Sequence, residues 1–527
     1  MGIVAVGKAI AGRLSDAQLR RLATLGFSKS QAALLAAAAD PRRAQEARLV
    51  SLMATMGETE RGRALKLSSL STLDAFRAGV PLSDWDSTQP YVDRMVRGER
   101  GVIVDEDPIY YATTSGTTGR RKLIPCTSAF VAECRVANRL LYRTMLLAMP
   151  GLVRGKRLSM RSPGTEKLNE NAEAGSITVA LGGGVDDENV LDAVPAAVFS
   201  VADFALRYKL ALRFALQERI TVVSAINPST LALFAQTLVD NADALADGVD
   251  SGDFGTDVSA LDAHVADGLR RRLKKAPDAA ARLRASASHH GAPRMADVFP
   301  ELSGLVTWKG GASSWWLQRL EASYGHLPTL DYGYAASEGC FGAPISTDDA
   351  SSVLLPHGHL IELLPEGEDD PTRTLFLDEA KVGERYEVVV TTSAGLLRYR
   401  MYDVVEVTGF LDRAPLVVFR HKAGTMCSVT GEKLGESHVA AALGRVGFAG
   451  QGICLSPRYP EGSGVPYYEA VVERGAVADV GAFASALDTA LGDENDEWRA
   501  KRESLRLGPL QVSVVEDGAF ARSEERV

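Results

Sequence analysis

The sequence predicts an α/β fold, a large N-terminal region of mixed sheets with packed helices followed by a small α+β C-terminal domain. Two patterns carry that prediction. Helix-period segments alternate with short buried apolar runs up to about residue 350, the pattern of a partly parallel sheet with helical crossovers. Beyond residue 350, runs rich in β-branched and aromatic residues dominate. A length of 527 residues suits two or three domains. The expected division is 1–410 and 411–527, with a hinge at 411–425.

Residues 9–80 are rich in Ala, Leu and Arg at helical spacing, as in Ala32-Ala33-Leu34-Leu35-Ala36-Ala37-Ala38. Pro81 to Glu99 reads as a turn and a short helix. A helix runs from Ser128, taken as its cap, to about Ala148. Residues 151–200 alternate glycine-rich turns with short apolar runs. Phe204 to Ala285 is helical, interrupted by a strand at Ile220-Thr221-Val222-Val223-Ser224. Leu305-Val306-Thr307-Trp308 reads as a buried strand ended by Gly310-Gly311, and a helix follows through Trp315 and Trp316 to a turn at Gly333. Four β-type runs come next: Leu360–Leu364, Tyr386–Thr392, Val404–Val407 and Leu416–Phe419. The turn Leu411-Asp412-Arg413-Ala414-Pro415 is read as the hinge, and Leu510–Val515 as a strand near the end.

Composition excludes several classes. The chain is 46% hydrophobic and 24% charged with a net charge of −9, which argues against a nucleic-acid-binding surface. The basic run Arg270-Arg271-Arg272-Leu273-Lys274-Lys275 reads as a solvated helix face. No apolar run approaches the ~18 residues of a membrane span. The first residues lack the charged start and cleavage site of a signal peptide. Five cysteines, with no Cys-x-x-Cys pair, fit a reducing cytoplasm rather than disulfides or zinc. The histidines His289-His290 and His357-x-His359 lack companions at a metal spacing. No Gly-x-Ser-x-Gly elbow is present.

The segment Tyr110-Tyr111-Ala112-Thr113-Thr114-Ser115-Gly116-Thr117-Thr118-Gly119-Arg120-Arg121-Lys122 carries the chemistry. Its glycines let backbone approach a ligand, its hydroxyls donate hydrogen bonds, and its cations offset negative charge, as a polyphosphate requires. The spacing is not that of a P-loop, since Gly116 and Gly119 are too close and no Lys-Ser follows. Tyr334-Ala335-Ala336-Ser337-Glu338-Gly339 adds an aromatic face, a hydroxyl and a carboxylate suited to a base, a phosphate oxygen and Mg²⁺. Thr391-Thr392-Ser393-Ala394-Gly395-Leu396-Leu397-Arg398-Tyr399-Arg400-Met401-Tyr402-Asp403 is a strand, a turn and a lone acid able to accept ribose hydroxyls. Gly431-Glu432-Lys433-Leu434 and the terminal Gly508-Pro509-Leu510 strand complete the set.

In this order the segments resemble the acyl-adenylate-forming superfamily, and within it the auxin-responsive "Gretchen Hagen" acyl acid–amido synthetases, in one of their bacterial forms. The similarity runs from about Pro90 to Phe520. The resemblance implies a large adenylating domain, a small mobile C-terminal domain that swings between two steps, and the use of ATP and Mg²⁺. It implies that Thr114, Ser115, Thr117 and Thr118 line the site of the ATP phosphates, with Ser115 and Thr118 counted as catalytic. Lys122 stands where the loop's closing lysine belongs. Tyr334 would stack on adenine, Ser337 would reach the α-phosphate, and Glu338 would hold Mg²⁺. Asp403 would bind the ribose, helped by Arg420 from the hinge side, and Lys122, Glu338 and Lys433 are counted as catalytic with Ser115 and Thr118. Trp308, Gly310, Gly311, Trp315 and Trp316 would line the acyl pocket.

The implied activity joins a small carboxylic acid to an amino acid or other amine. A carboxylate is a poor acyl donor. Attack on the α-phosphate of ATP gives an acyl-adenylate and pyrophosphate, and AMP is then a good leaving group. Two alternatives stay open: transfer to a thiol of coenzyme A or a carrier protein, and a nucleotide-binding scaffold without turnover. The expected partners are small molecules, with no nucleic acid and no membrane, in a monomer or homodimer. One departure stands out. The family carries a lysine beyond its terminal turn, whereas here no lysine follows Lys501. Either Lys501 or Arg522 substitutes, or adenylation is slow.

Overall fold

The computed structural model describes residues 13–114, 122–160, 165–170, 172–177, 191–423, 427–448, 453–460 and 464–519. The chain forms two compact units, the first ending at Ala423.

The N-terminal part of the first unit is helical for local reasons. Ser15 accepts from the Gln18 backbone, and the Gln18 side chain returns the bond, at the start of Asp16–Gly26. Asp40 accepts from Arg43 N–H ahead of Pro41–Met56, with proline in the first turn where its missing donor costs nothing. The helix Ser128–Ala148 lies where its pattern placed it, but Thr127 is the cap, its hydroxyl accepting from Phe130 N–H.

Three sheets of this unit matter for function. Tyr110–Thr114 pairs antiparallel with Lys122–Cys126 and parallel with Glu173–Gly175. A four-stranded, wholly parallel sheet runs Lys156–Ser159, Ile220–Ser224, Gly304–Val306, Thr329–Leu330. One face of it packs on helices such as Phe204–Leu216 through Leu158, Val223 and Leu305; the other meets Ser128–Ala148 through Val222, Val306 and Leu330. The third sheet is antiparallel, with strand order Gly342–Pro344, Ser352–Leu354, Ala414–Lys422, Tyr399–Leu411, Arg385–Thr391, Leu360–Pro365.

Two expectations change. The strand Gly304–Val306 ends before Trp308. The turn at 411–415 is not a hinge: Leu411 pairs with Ala414 across a tight hairpin, Asp412 is left-handed at φ 54°, and Arg413 N–H donates to Ala38 O at 3.0 Å. A turn tied to both the sheet and an N-terminal helix cannot serve as a pivot. The division therefore falls after Ala423 rather than at residue 410.

The second unit is α+β. Tyr467–Glu473 pairs antiparallel with Ile453–Arg458 and parallel with Gln511–Val515. Its core gathers Tyr468, Leu487, Leu491 and Trp498 from the sheet and the helices Val480–Glu494 and Asp496–Glu503.

Candidate active site

Thr114 and Lys122 are opposite one another at the ends of their strands. The intervening Ser115, Thr117 and Thr118, and the side chain of Thr114, lie outside the described residues. Lys122 itself is buried and points inward. Its Nζ donates to the Tyr399 hydroxyl at 3.0 Å and sits 5.7 Å from the ring centroid. Asp84, which caps the helix Trp85–Val96, feels the same ammonium. Burial pushes its carboxyl up, but hydrogen bonds from Ser87 and the Lys122 charge together hold it below the ordinary value.

Tyr334, Asp403 and Lys422 converge. Gly333 turns the chain into this segment at φ 92°, and a Cβ there would lie 2.5 Å from Gly342 O, so the turn admits only glycine. The Tyr334 hydroxyl donates to Asp403 Oδ2 at 3.0 Å, and Lys422 Nζ lies 2.5 Å from Asp403 Oδ1. Lys422 also donates to Met401 O at 2.8 Å. The pairing follows from register, since Asp403 and Lys422 are cross-strand neighbours. Burial, then the Asp403 charge, raises the Tyr334 phenol well above its usual range. The Tyr334 ring packs against Phe341 at 5.5 Å.

Ser337 Oγ donates to Thr113 O at 3.0 Å, which ties this segment to the strand leading into the loop. Glu338 is 6% exposed and has no hydrogen bond or ion pair among the described residues. Its charge helps raise the phenols of both Tyr334 and Tyr399, so the carboxylate lies near both. No group of three or more His, Cys, Asp or Glu side chains able to hold a metal occurs among the described residues. One carboxylate without a partner fits Mg²⁺, which takes few protein ligands and completes its shell with water and phosphate.

Arg420 falls elsewhere than expected. Its guanidinium donates to Glu406 Oε2 at 3.0 Å, and Lys422, two residues on, is the cation at Asp403. Lys433 belongs to the second unit. There its carbonyl accepts from Asn495 at 2.9 Å, and its neighbour Glu432 is the buried anchor, accepting from Val429 N–H, Thr430 and the Tyr468 hydroxyl. In the same unit Lys501 is lowered to about 8, by burial first and by the nearby Arg506 charge.

The expected acyl pocket divides. Trp316 is buried, and Trp308 N–H donates to Ile226 O at 2.9 Å. The Trp315 side chain lies outside the described residues. Gly310 and Gly311 are required by close packing: a Cβ would come 3.1 Å from Phe419 O at the first and 3.2 Å from Arg420 O at the second, where φ is 57°. Beside them Asp331 accepts from Lys309 N–H and Gly333 N–H at 2.7 Å each, and burial raises its carboxyl to about 6.

Two buried networks support the site without belonging to it. Arg398, left-handed at φ 42°, holds Glu362 through two bonds of 2.9 Å and also donates to Arg77 O, Val80 O, Pro371 O and Thr374. This fixes the strand start at Tyr399. Glu133 pairs with Arg48 and Ser393, and His359 Nδ1 lies 2.9 Å from it. Cys340 N–H donates to His359 Nε2 at 3.3 Å, so the imidazole is neutral with its proton on Nδ1. Burial, with Arg48 nearby, lowers it to about 3. Sequence reading missed both networks, and also Lys422 and Tyr399, because their partners are remote in the chain.

The GH3 family N-terminal domain matches residues 31–329, its central domain residues 352–422, and its C-terminal domain residues 455–527. The chain is 28% identical over 485 residues to indole-3-acetic acid-amido synthetase GH3.8 of Oryza sativa subsp. indica, covering 85% of this chain and 79% of that protein. It is 27% identical over 507 residues to probable indole-3-acetic acid-amido synthetase GH3.1 of Arabidopsis thaliana, covering 90% and 85%. Among solved structures, the AtGH3.15 acyl acid amido synthetase in complex with 2,4-DB superposes with a TM-score of 0.69 at 22% identity, over 94% of this chain and 90% of that one. A 2-hydroxyisobutyryl-CoA ligase superposes at 0.51 with 15% identity, covering 92% and 87%. These likenesses establish the adenylate-forming fold.

Proposed function

This chain belongs to the GH3 family, and from that premise we propose that it is an ATP-dependent acyl acid–amido synthetase. It activates a small carboxylic acid as its acyl-adenylate, releases pyrophosphate, and passes the acyl group to the amine of an amino acid or similar acceptor. The observation that carries this reading is the convergence of Tyr334, Glu338 and Asp403 beside the strand that leads into the hydroxyl-rich loop.

On this reading the hydroxyls of Ser115, Thr117 and Thr118 meet the β- and γ-phosphates. Asp403, held by Lys422, accepts the ribose hydroxyls, and Tyr334 orients that carboxylate while its ring flanks the base. Ser337 donates toward the α-phosphate. Glu338 holds Mg²⁺, which neutralises charge as pyrophosphate departs. Lys122, directed at Tyr399, sets the position of the strand bearing Asp403 and adds positive potential beneath the site. In the family's pattern the small C-terminal domain swings between the two steps, as conformational gating of a two-step reaction requires. Of the two cations that could stand in for the family's terminal lysine, Lys501 lies within the second unit and Arg522 lies outside the described residues.

The amine reading is separated from the thiol reading by acceptor dependence. Acid-dependent exchange of pyrophosphate into ATP establishes adenylation. AMP release stimulated by amino acids supports the amide product; stimulation by coenzyme A or a carrier thiol alone overturns it.

A further inference from the structure

The parallel sheet of the first unit ends in two serines side by side. Ser159 closes one strand, Ser224 closes its neighbour, and the two are register partners. They are 6% and 2% exposed, and neither Oγ makes a well-formed hydrogen bond, although the Tyr332 phenol approaches Ser224. Among the described residues these are the buried serine hydroxyls left so. Other buried serines are bonded, Ser83 to Leu397 O, Ser286 to Asp297 and Ser393 to Glu133. A buried hydroxyl without a well-formed bond is disfavoured, so two adjacent ones call for an explanation.

Their orientation supplies one. Alternate strand residues share a face, so Ser224 lies on the face of Val222, which packs on Leu141 and Met145 of the helix Ser128–Ala148. The serines extend that apolar layer to the carboxyl ends of the strands, where open α/β sheets bind their ligands. Tyr332 packs partly buried against the same layer, and its phenol stands close to Ser224, Arg157 and Tyr142. Its contact with Ser224 leaves the serine oxygen without a well-formed bond. Tyr142, beside the Tyr332 phenol, and Ile226, two residues beyond Ser224, are exposed. Arg157, the cation beside the Tyr332 phenol, is already paired with Asp192 at 2.7 Å.

We propose that Ser159, Ser224 and the Tyr332 hydroxyl form the polar end of the acyl-acid site, and that the acid carries an uncharged hydrogen-bonding substituent, a hydroxyl or carbonyl, remote from its carboxylate. This rests on the reading of the chain as an acyl acid–amido synthetase. The reacting carboxylate must meet the nucleotide near Ser337 and Glu338, which leaves the far end of the acid to the serines.

The test uses matched acids: phenylacetic acid against its para-hydroxy derivative, and hexanoic acid against its terminal-hydroxy derivative. Acid-dependent pyrophosphate release is measured for the full chain and for Ser159→Ala, Ser224→Ala, the double variant and Tyr332→Phe. The wild type turns over a hydroxylated member at least about tenfold better in kcat/KM, and each serine substitution removes roughly tenfold of that while sparing the plain acid. The Tyr332→Phe variant, which keeps the ring, narrows the preference in the same direction. Equal losses for both members of a pair, or a wild type without preference, overturn the inference while leaving adenylation standing. Absence of pyrophosphate release with every acid, in protein that still binds ATP, refutes the amido synthetase reading itself and the inference with it.

Discussion

Replacing Glu362 by Gln separates scaffold from chemistry in the segment that carries Asp403. The Arg398 and Glu362 side chains are 1% and 3% exposed and meet through two bonds of 2.9 Å. Glu362 also accepts from Thr374 at 2.7 Å, and Arg398 spends its remaining donors on three backbone carbonyls. Glutamine keeps the shape but removes the charge, and its amide N–H₂ faces a guanidinium that also donates. A buried charge stripped of its partner costs ~3–5 kcal/mol. Urea unfolding of Glu362→Gln therefore shows a loss of that order. ATP affinity of the folded variant, measured by calorimetry at low temperature, stays within about threefold, because neither group reaches the nucleotide residues (a threefold change is under 1 kcal/mol). Unchanged stability with lost adenylation would show that Arg398 acts in the reaction and would refute this assignment.

Three further outcomes follow from the geometry. Asp403→Asn removes the charge that Lys422 and the ribose share, and lowers ATP affinity by roughly 10–150-fold, at ~1.5–3 kcal/mol for a charged hydrogen bond; unaltered affinity by calorimetry would place the ribose elsewhere. Glu338→Gln cuts Mg²⁺-dependent pyrophosphate release by at least ~10²-fold, with a raised Mg²⁺ requirement; wild-type rates at equal Mg²⁺ would assign the metal to another group. His359 is held at about 3, below its ordinary 6.5, so the folded state binds fewer protons than the unfolded one between those values. Its contribution is present above pH 6.5 and is lost as pH falls toward 3, at ~1.4 kcal/mol per unit. His359→Gln, which can still accept from Cys340 N–H, flattens that part of the stability curve; an unchanged acid limb would show that other groups dominate it.

Local features were legible in the sequence because local physics decides them. The helix Ser128–Ala148 and the strand Ile220–Ser224 appear with the bounds their periodicity gives. Tyr334, Ser337, Glu338 and Asp403 stand out in the sequence as an aromatic face, a hydroxyl and acids beside glycine turns, and their roles at the nucleotide are those the family resemblance implies. Cross-strand and cross-sheet relations were not legible. Nothing in the sequence marks Lys422 as the partner of Asp403; strand register sets the two side by side. Arg398 read as part of a recognition motif, and its left-handed backbone and Glu362 partner are visible only in three dimensions. The turn at 411–415 reads as a hinge for the same reason, because Leu-Asp-Arg-Ala-Pro spells a loop whether it joins two domains or closes one hairpin, and the division after Ala423 lies within the expected 411–425.

The most direct measurement is product identification after incubating the protein with ATP, Mg²⁺, a hydroxylated carboxylic acid and a mixture of amino acids. An acyl-adenylate-forming amide synthetase yields AMP, pyrophosphate and an N-acyl amino acid in equal amounts by mass spectrometry, and at limiting ATP the amide yield falls in Asp403→Asn. Formation of ADP and phosphate, or of a thioester with no amide when coenzyme A is added, would contradict the proposed function.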